Sequence, residues 1–367
     1  MAVLRAALAT PLSGPLAGYG RAGAAALALW AREAADLPAP YSIVDLAVSD
    51  AWPDPAAAVR RAARARPHLL FGPYGSGPAI AAARATTRLI WNHGGATSEL
   101  RWPAYPHVVN VASPACHYFT GTLELAASLH PAAREVSLLF GRTGFGRDIA
   151  AGAVATALRL RLAVHATAFA SGAAEAAARG APGADVLLVA GGFDDDLAAA
   201  RVLGARRWLI AAFVGAGEQD ILTALGAERD GLVGPAQWLA TAAADADEGP
   251  GAAWFVRRFE AATGGQPGYP AAQAFAAGLI AARALRKVGE PADQALRDAA
   301  RRMSCVTMYG AFRLDQRTGL QAGHQVLTVQ WQRGRRRVVW PVAEVPLVHP
   351  RPGYDHGDWH SGLVKLG

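Results

Sequence analysis

The chain has 367 residues, of which 52% are hydrophobic and 18% charged, a composition that excludes an intrinsically disordered chain. The formal net charge is +7, but arginines spread along the chain carry nearly all of it, and lysine occurs only at Lys287 and Lys365. Because no nucleic-acid-binding motif accompanies this charge, we expect no nucleic-acid partner. No apolar run reaches the length of a membrane span, so we expect no membrane-spanning helix.

Two cysteines, Cys116 and Cys305, lie far apart in sequence and match no zinc-binding spacing. The sequence leaves open whether they form a disulfide bond.

At the N-terminus, an apolar segment begins at Val3 without the basic region and cleavage site of a signal peptide. Either a signal peptide has been removed, which places the protein in the periplasm or otherwise outside the cytoplasm, or the protein is cytosolic.

The first third of the chain predicts alternating strands and helices. Apolar segments predict strands over residues 3–9, 41–48, 68–71, 89–91 and 108–111. Alanine-rich segments between them predict helices, the first over residues 21–35. This alternation is typical of a parallel sheet that is covered by helices on both faces.

The same pattern begins again after Ser113 and Pro114. A helix is predicted over residues 117–129, and strands are predicted over residues 136–140, 162–169, 186–190 and 208–213. Glycine-rich loops follow several of these strands. The middle of the chain therefore predicts a second α/β unit of similar size.

The last third changes character after a polar, acidic stretch at residues 240–251. Helices are predicted over residues 252–263, 270–287 and 291–303. Antiparallel strands are predicted over residues 307–314, 325–332 and 338–340, with a turn over residues 333–337. Residues 345–367 are rich in Pro, His and Gly, and no structure is predicted for them.

Two glycine-rich turns follow consecutive predicted strands of the first unit. The first reads FGPYGSG from Phe71 to Gly77, and the second reads NHGG from Asn92 to Gly95. In an open parallel sheet such turns lie at the carboxyl ends of the strands, where ligands bind. Glycine lets the backbone approach a ligand, and free amides at a helix start favour an anion. The two turns therefore predict a cradle for a carboxylate.

Seven segments, taken in order, resemble the type I solute-binding proteins of ABC importers. They are SGPLAGYG, FGPYGSG, WNHGGATSEL, TGFG, VAGGFDDD, YPAAQAFAAGL and YGAFRLDQRTG. The resemblance is to the branched-chain amino acid (leucine/isoleucine/valine) binding proteins in particular, and it covers about residues 3–342.

The resemblance implies an α/β fold of two doubly wound parallel-sheet lobes that are joined by a three-strand hinge. It assigns residues 1–113 and 250–323 to lobe 1, residues 114–249 and 324–342 to lobe 2, and residues 343–367 to a C-terminal tail. It also implies that the protein captures a small amino acid, amide or carboxylate by hinge closure and delivers it to a membrane permease. We expect the protein to act as a monomer.

In lobe 1 the resemblance implies ligand contacts at Tyr19, Ser76, His93, Gly94, Gly95, Ala96 and Tyr269. Ser76 would offer its hydroxyl to a carboxylate, although serine is also a common helix N-cap. The segment from Gly94 to Ala96 would offer backbone groups, although tight turns also need glycine. A lone histidine such as His93 is more often structural, and Tyr19 or Tyr269 could equally be an ordinary half-buried or core aromatic residue.

In lobe 2, Phe145 and Phe193 match positions where the family has tyrosines. The missing hydroxyls predict a more apolar wall. Gln237 and Trp238 lie near the expected hinge and could add an amide hydrogen bond and a further apolar wall.

The amino acid binders of this family place an acidic residue of lobe 2 against the ligand ammonium. Glu218 is a candidate, although it lies a few residues late in the matching loop and could instead start a helix. Asp194 is a second candidate, although it could be a solvated residue at a helix N-terminus. If neither carboxylate faces the cleft, the predicted ligand is a carboxylate without an amine, or an amide.

No catalytic motif is found. The chain has neither a G-x-S-x-G elbow nor an H-E-x-x-H motif, and it lacks a complete dinucleotide fingerprint. We therefore expect a binding protein without a cofactor. A cytosolic sensor of amides or amino acids that regulates gene expression, and an α/β enzyme working at the same crevice, are the alternatives. His349, His356 and His360 form a loose set that could bind a metal ion, or they belong to an unstructured tail.

Overall fold

The computed structural model describes residues 2–203 and 208–348. Within these ranges the strands are β1 (Ala2–Thr10), β2 (Tyr41–Asp50), β3 (Leu69–Phe71), β4 (Ile90–Asn92), β5 (Val108–Asn110), β6 (Glu135–Gly141), β7 (Ala163–Phe169), β8 (Val186–Ala190), β9 (Ile210–Phe213), β10 (Val233–Ala236), β11 (Ser304–Thr307), β12 (Gly310–Arg313), β13 (Leu327–Gln332) and β14 (Arg335–Trp340). The α-helices are α1 (Ala17–Glu33), α2 (Pro55–Arg64), α3 (Ser76–Ala85), α4 (Thr120–Leu129), α5 (Gly144–Arg159), α6 (Ala174–Arg179), α7 (Phe193–Leu203), α8 (Ala252–Thr263), α9 (Tyr269–Val288) and α10 (Asp293–Arg302).

Two sheets organise the chain. The first has the strand order β2-β1-β3-β4-β5, and all its neighbours are parallel. The second has the order β14-β13-β10-β9-β8-β6-β7, in which β6 to β10 are parallel and β13 and β14 are antiparallel. The predicted α/β class, with two parallel sheets flanked by helices, is confirmed.

Helices cover both faces of the first sheet, and we call this unit lobe 1. On one face, Leu8 of β1 and Trp30 of α1 share a core with Phe275 of α9, and α8 and α10 belong to the same core. On the other face, Ala7 of β1 packs with Val59 of α2. The three helices from the last third of the sequence therefore return to the sheet formed by the first third.

The second sheet and α4 to α7 form lobe 2. Alternate residues of its strands face opposite helix layers: Leu138 and Leu188 share a core with α4 and α5, whereas Leu139 and Val189 share a core with α6 and α7. Because both faces are buried, these strands are continuous apolar runs in the sequence rather than alternating patterns.

The chain crosses between the lobes after β5, after β10 and after β12. The side-chain amide of Gln237 donates to the carbonyl of Ser113 at 3.1 Å, and the Ser113 hydroxyl lies 2.7 Å from Nδ1 of His324. One buried residue from each crossing therefore belongs to a single hydrogen-bonded cluster. We keep the lobe limits given above as a proposal.

Three predictions about the last third differ from the structure. The strand predicted over residues 307–314 is the hairpin β11-β12, because the backbone turns between Thr307 and Gly310. The turn predicted over residues 333–337 contains only Arg333 and Gly334, whose φ angles are 52° and 72°, so β14 begins at Arg335. Residues 345–348 also have structure, since the Gln330 side chain donates to the carbonyl of Val348 at 2.6 Å.

Neither part of the chain that the structure describes has a helix with the length and apolar character needed to cross a bilayer. Across the same residues, no group of three or more His, Cys, Asp or Glu side chains could hold a metal ion. Cys116 and Cys305 are free thiols, which answers the question that the sequence left open. The possible metal set of His349, His356 and His360 lies outside the described residues.

Candidate ligand site between the two lobes

The first glycine-rich turn of lobe 1 ends in the N-terminus of α3. Gly75 is the N-cap residue, with a φ of 99°, and no side chain caps the helix. Ser76 is therefore the first helical residue and not the cap, and its half-buried hydroxyl is not used by the helix. The amides of Ser76 and Gly77, the first two of α3, have no intrahelical acceptor and can donate to an anion, whereas Pro78 has no N–H.

The Asn92 side chain fixes the shape of the second turn, and a backbone hydrogen bond joins the second turn to the first. The side chain of Asn92 accepts the N–H of Gly95 at 2.9 Å and donates to the Gly95 carbonyl at 2.8 Å. The Gly75 N–H donates to the Gly94 carbonyl at 2.9 Å. The two turns thus form one unit, which we call the cradle. Among the amides predicted for a ligand, that of Gly95 is already engaged, whereas that of Ala96 has no acceptor within residues 2–203 and 208–348.

Both glycines of the cradle lie where a side chain does not fit. A Cβ atom on Gly94 would lie 2.5 Å from the Cα of Tyr74, and one on Gly95 would lie 2.3 Å from the Cβ of Ala79. Real Cβ atoms do not approach other heavy atoms this closely. The glycines are therefore needed for the close packing of the two turns.

His93 belongs to the same turn but points elsewhere. Its side chain is fully buried, and its Nε2 lies 3.2 Å from the position that a Cβ atom on Gly23 of α1 would take. Burial lowers the pKa of His93 to about 4, so the ring is neutral near pH 7. The structure therefore directs the His93 ring from the cradle turn toward α1 of lobe 1.

A row of aromatic rings joins the two lobes beside the cradle. Tyr19 stacks on Tyr74 with ring centroids 4.9 Å apart, and it meets Phe193 of lobe 2 at 5.4 Å. The hydroxyls of Tyr74 and Tyr269 are hydrogen-bonded. Two predicted contacts from lobe 1, Tyr19 and Tyr269, are therefore brought together with one from lobe 2.

A second aromatic pair comes from lobe 2. Tyr118 meets Phe145 edge to face at 5.7 Å, and its hydroxyl accepts a hydrogen bond from the side-chain amide of Gln237 at 2.9 Å. The hydroxyl of Tyr309 donates to the other end of the same amide at 2.7 Å. Gln237 thus connects the aromatic wall to the crossings between the lobes.

Glu218 follows a short 3-10 turn, Val214–Gly217, after β9, and it does not start a helix. The Asp196 carboxylate accepts the N–H of Gly215 at 2.6 Å, and the indole N–H of Trp331 donates to the carbonyl of Ala216 at 2.8 Å. The guanidinium of Arg336 donates to the carbonyl of Gly217. The loop that carries Glu218 is therefore held by residues of α7, β13 and β14 as well as by the local bond from the Glu218 N–H to the Gly215 carbonyl at 3.1 Å.

The charge of the Glu218 carboxyl acts on four tyrosines, which we call the tyrosine cluster: Tyr19, Tyr74, Tyr118 and Tyr269. Burial is the main cause that raises the pKa of each phenol, and the charge of Glu218 raises it further. Burial also raises the pKa of Glu218 to about 8, while Arg336 acts to lower it and Asp220 acts to raise it. A carboxyl group of lobe 2 is therefore close enough to the aromatic wall to act electrostatically on its phenols.

Two other predicted contacts lie away from this wall. Trp238 is buried in the core of lobe 1, where its indole N–H donates to the carbonyl of Met308 at 2.9 Å. Asp194 is exposed at the start of α7, as expected for a solvated helix N-terminus. Neither residue joins Glu218 and the tyrosine cluster.

The lobes also touch at the rim of this region. The Asp148 carboxylate of α5 accepts hydrogen bonds from both the backbone N–H, at 2.9 Å, and the hydroxyl of Ser98. Together with the contact between Tyr19 and Phe193, this bond brings the two lobes into a closed arrangement.

Sequence reasoning missed Tyr74, Tyr118, Asp148 and Arg336. Tyr74 lies inside the FGPYGSG motif and could have been included with it. Arg336 could not be identified while residues 333–337 were treated as a turn. Once β14 begins at Arg335, strand alternation places Arg336 on the face opposite its two arginine neighbours.

Comparison with known proteins gives consistent matches over most of the chain. A model of the periplasmic binding protein family matches residues 3–336. A leucine-binding protein from Thermotoga maritima matches with a TM-score of 0.75 at 17% identity, covering 91% of this chain and 97% of that protein.

Two further structures were solved with ligands. A solute-binding protein of an ABC transporter from R. palustris, in complex with benzoate, matches with a TM-score of 0.72 at 17% identity, covering 92% of this chain and 96% of that protein. The substrate-binding protein of a branched-chain amino acid transporter from Streptococcus pneumoniae, in complex with isoleucine, has a TM-score of 0.71 at 14% identity, with 91% and 98% covered. These matches confirm the resemblance that the sequence motifs predicted.

Proposed function

The chain belongs to the periplasmic binding protein family, and from that premise we propose that it is the extracytoplasmic solute-binding component of an ABC importer. Its solute is an amino acid with an apolar or aromatic side chain, which binds between the lobes and is handed to a membrane permease. The observation that carries this proposal is the aromatic wall between the lobes, where Tyr19 meets Phe193 of lobe 2 and where the Glu218 carboxyl acts electrostatically on the tyrosine cluster.

The carboxylate of the solute is assigned to the cradle of lobe 1. A buried anion is tolerated only where several donors converge on it. Such donors are available in the cradle, and all of them are neutral: the Ser76 hydroxyl, the first amides of α3 and the free amide of Ala96. The helix dipole of α3 adds a favourable potential for the same group.

The ammonium of the solute is assigned to Glu218. With a pKa of about 8, roughly nine in ten of these carboxyls are protonated at pH 7 before the solute arrives. An ammonium beside the carboxyl favours the ionised form, so binding releases a proton. The faces of the surrounding tyrosines also attract a cation.

The side chain of the solute is assigned to the wall formed by Tyr19, Phe145 and Phe193. Phe145 and Phe193 offer apolar surface from lobe 2, and Tyr19 covers the same space from lobe 1. Because these residues come from both lobes, the solute would stabilise the closed arrangement that the bond between Ser98 and Asp148 also favours. His93 and Trp238 have no part in this assignment.

An amine-free aromatic carboxylate is the second candidate solute. The aromatic row and the largely neutral Glu218 carboxyl would both accept such a molecule. The neighbour from R. palustris binds benzoate, which has the same chemistry.

Matched pairs of compounds separate the two candidates. Phenylalanine and 3-phenylpropanoate differ only in the α-ammonium, as do leucine and 4-methylpentanoate. Calorimetric titration of the full chain at pH 7.5 should give at least about tenfold tighter binding for the amine of each pair, the equivalent of ~1.4 kcal/mol. Equal or tighter binding of the amine-free partner would overturn the assignment of Glu218 and favour the second candidate.

A further inference from the structure

Arg336 occupies an unusual position on β14. Its neighbours Arg335 and Arg337 line an open groove at the outer surface of lobe 2, whereas Arg336 points to the opposite face. There its guanidinium is half-buried and donates to the carbonyl of Gly217, the residue that precedes Glu218. Arg336 therefore contacts the loop that carries the candidate ammonium acceptor.

Gly217 lies where its loop packs closely against β10. A Cβ atom on Gly217 would lie 1.7 Å from the carbonyl oxygen of Pro235, so the loop lies directly against β10. Arg336 approaches the same peptide from β14. The two strands therefore hold the backbone immediately before Glu218.

Charged and titratable groups surround Glu218 from several elements. Asp220 lies on its own loop and Arg336 on β14, and the phenols of the tyrosine cluster, on α1, the turn after β3, the segment before α4, and α9, are electrostatically coupled to it. Burial lowers the pKa of Arg336, while Glu218 and Asp220 act to raise it. Of the groups that act on the pKa of Glu218, Arg336 favours the ionised carboxyl and Asp220 favours the neutral one.

We propose that Arg336 is a positioning residue for the ammonium subsite: it holds the Gly217 carbonyl, directs Glu218 toward the tyrosine cluster and supplies the positive charge that keeps the Glu218 carboxyl available to a cationic solute. This inference rests on the proposed function, because it assigns a role to Arg336 through the contact between Glu218 and the solute ammonium. Arg336 itself touches the loop and not the solute.

The proposal predicts opposite effects for the two charged neighbours of Glu218. Replacing Arg336 by Gln removes the group that favours ionisation, so the titration of Glu218 should move to higher pH. Replacing Asp220 by Asn removes the opposing group, so the titration should move to lower pH. The apparent affinity for an amine scales with the ionised fraction of Glu218. A tenfold change in the acid dissociation constant of this carboxyl therefore changes the affinity by up to about tenfold near pH 7.

The test uses the full chain with Glu carboxyls labelled with carbon-13. In the ligand-free protein, the pH at half-titration of Glu218 should rise in Arg336→Gln and fall in Asp220→Asn. Phenylalanine affinity at pH 7 should fall about tenfold in Arg336→Gln and increase in Asp220→Asn, whereas 3-phenylpropanoate affinity should change less than about threefold in both. Arg336→Lys keeps the charge, so its titration should stay near that of the wild type.

The possible outcomes are separable. Asp220 is exposed, so Asp220→Asn shows whether the titration of Glu218 responds to a charged neighbour even if Arg336→Gln does not fold. A titration of Arg336→Lys that moves to higher pH despite the retained charge would overturn the proposed role of that charge. An unmoved titration in both neutral variants would overturn the proposal. A gain of phenylalanine affinity in Arg336→Gln would also overturn it, because that is the sign expected if the guanidinium merely repels the ammonium. If the wild type prefers 3-phenylpropanoate, the proposed function fails, and the carbon-13 titration still reports the coupling of Arg336 to Glu218.

Discussion

The two sides of the interlobe site are built in different ways. The cradle of lobe 1 consists of neutral donors, whose positions follow from two glycine-rich turns and from Asn92. The opposing side of lobe 2 depends on one ionisable side chain, Glu218, whose loop is held by residues of α7, β10, β13 and β14. Ligand binding at the cradle should therefore be sensitive to the shape of the turns and insensitive to pH. Ligand binding at Glu218 should be sensitive to pH and less sensitive to shape.

The largest effect is expected from changing the shape of the cradle. Combining Ser76→Ala with Gly95→Val removes a donor and forces a side chain against Ala79, where even a Cβ atom would lie 2.3 Å away. We expect phenylalanine binding to fall by more than about 100-fold, with a loss of ~1–3 kcal/mol in the free energy of unfolding from overpacking. Calorimetry and urea denaturation measure the two effects.

A control for the cradle variants is Gly265→Ala, outside the cradle but in lobe 1. A Cβ atom on Gly265 meets nothing within 4 Å, and the residue is exposed after α8. This variant should bind as the wild type does. If the double variant kept wild-type affinity, the carboxylate could not be bound in the cradle.

On the side of lobe 2, Glu218→Gln removes the proposed ammonium acceptor while keeping the shape of the side chain. The loss of a charged hydrogen bond should weaken phenylalanine binding by ~1.5–3 kcal/mol, or about 10- to 150-fold. Binding of 3-phenylpropanoate should change little. Asp194→Asn, an exposed carboxylate on the same lobe, is the control and should have no effect. Equal losses for both compounds would point to a structural role for Glu218.

A smaller effect is expected at the rim where the two sides meet. Ser98→Ala deletes the hydroxyl that donates to Asp148 but keeps the backbone N–H bond to the same carboxylate. The closed arrangement should lose ~0.5–1.5 kcal/mol, which weakens binding by about two- to tenfold. We expect the change mainly in the dissociation rate, measured by stopped-flow fluorescence. A slower association rate with unchanged dissociation would contradict a role in holding the lobes closed.

The pH dependence expected at Glu218 can also be tested without a ligand, through the stability of the folded protein. The pKa of Glu218 is about 8 in the folded protein against an ordinary 4.5, so the folded state binds the proton more tightly than the unfolded state. Its contribution to stability is therefore fully present below pH 4.5 and is lost as the pH rises toward 8. The melting temperature of the ligand-free wild type should fall more steeply between pH 5 and 8 than that of Glu218→Gln. Parallel curves would mean that Glu218 titrates normally.

Much of the fold follows from the sequence because local signals agree with one another. The apolar strands, the alanine-rich helices and the glycine-rich turns each specify their own element, and α9 was placed to within one residue at each end. The hairpin β11-β12 and the start of β14 were missed, because the reversals at Thr307 and at Arg333 to Gly334 interrupt what the sequence presents as continuous segments.

The site was harder to predict for a physical reason. Ser76 and the cradle lie within motifs, so their positions follow from nearby residues. Glu218 could be named as a candidate, but its direction depends on Trp331 and Arg336, more than 100 residues away. Conversely, His93 and Trp238 lie in segments where the sequence predicted ligand contacts, but both side chains are buried inside lobe 1.

The central claim is that a cationic group of the solute meets Glu218, and proton release tests it most directly. Calorimetric titrations of phenylalanine at pH 7, repeated in buffers with different ionisation enthalpies, count the protons released on binding. With a Glu218 pKa of about 8, we predict the release of close to one proton in the wild type and essentially none in Glu218→Gln. Phenylalanine binding to the wild type without proton release would contradict the account.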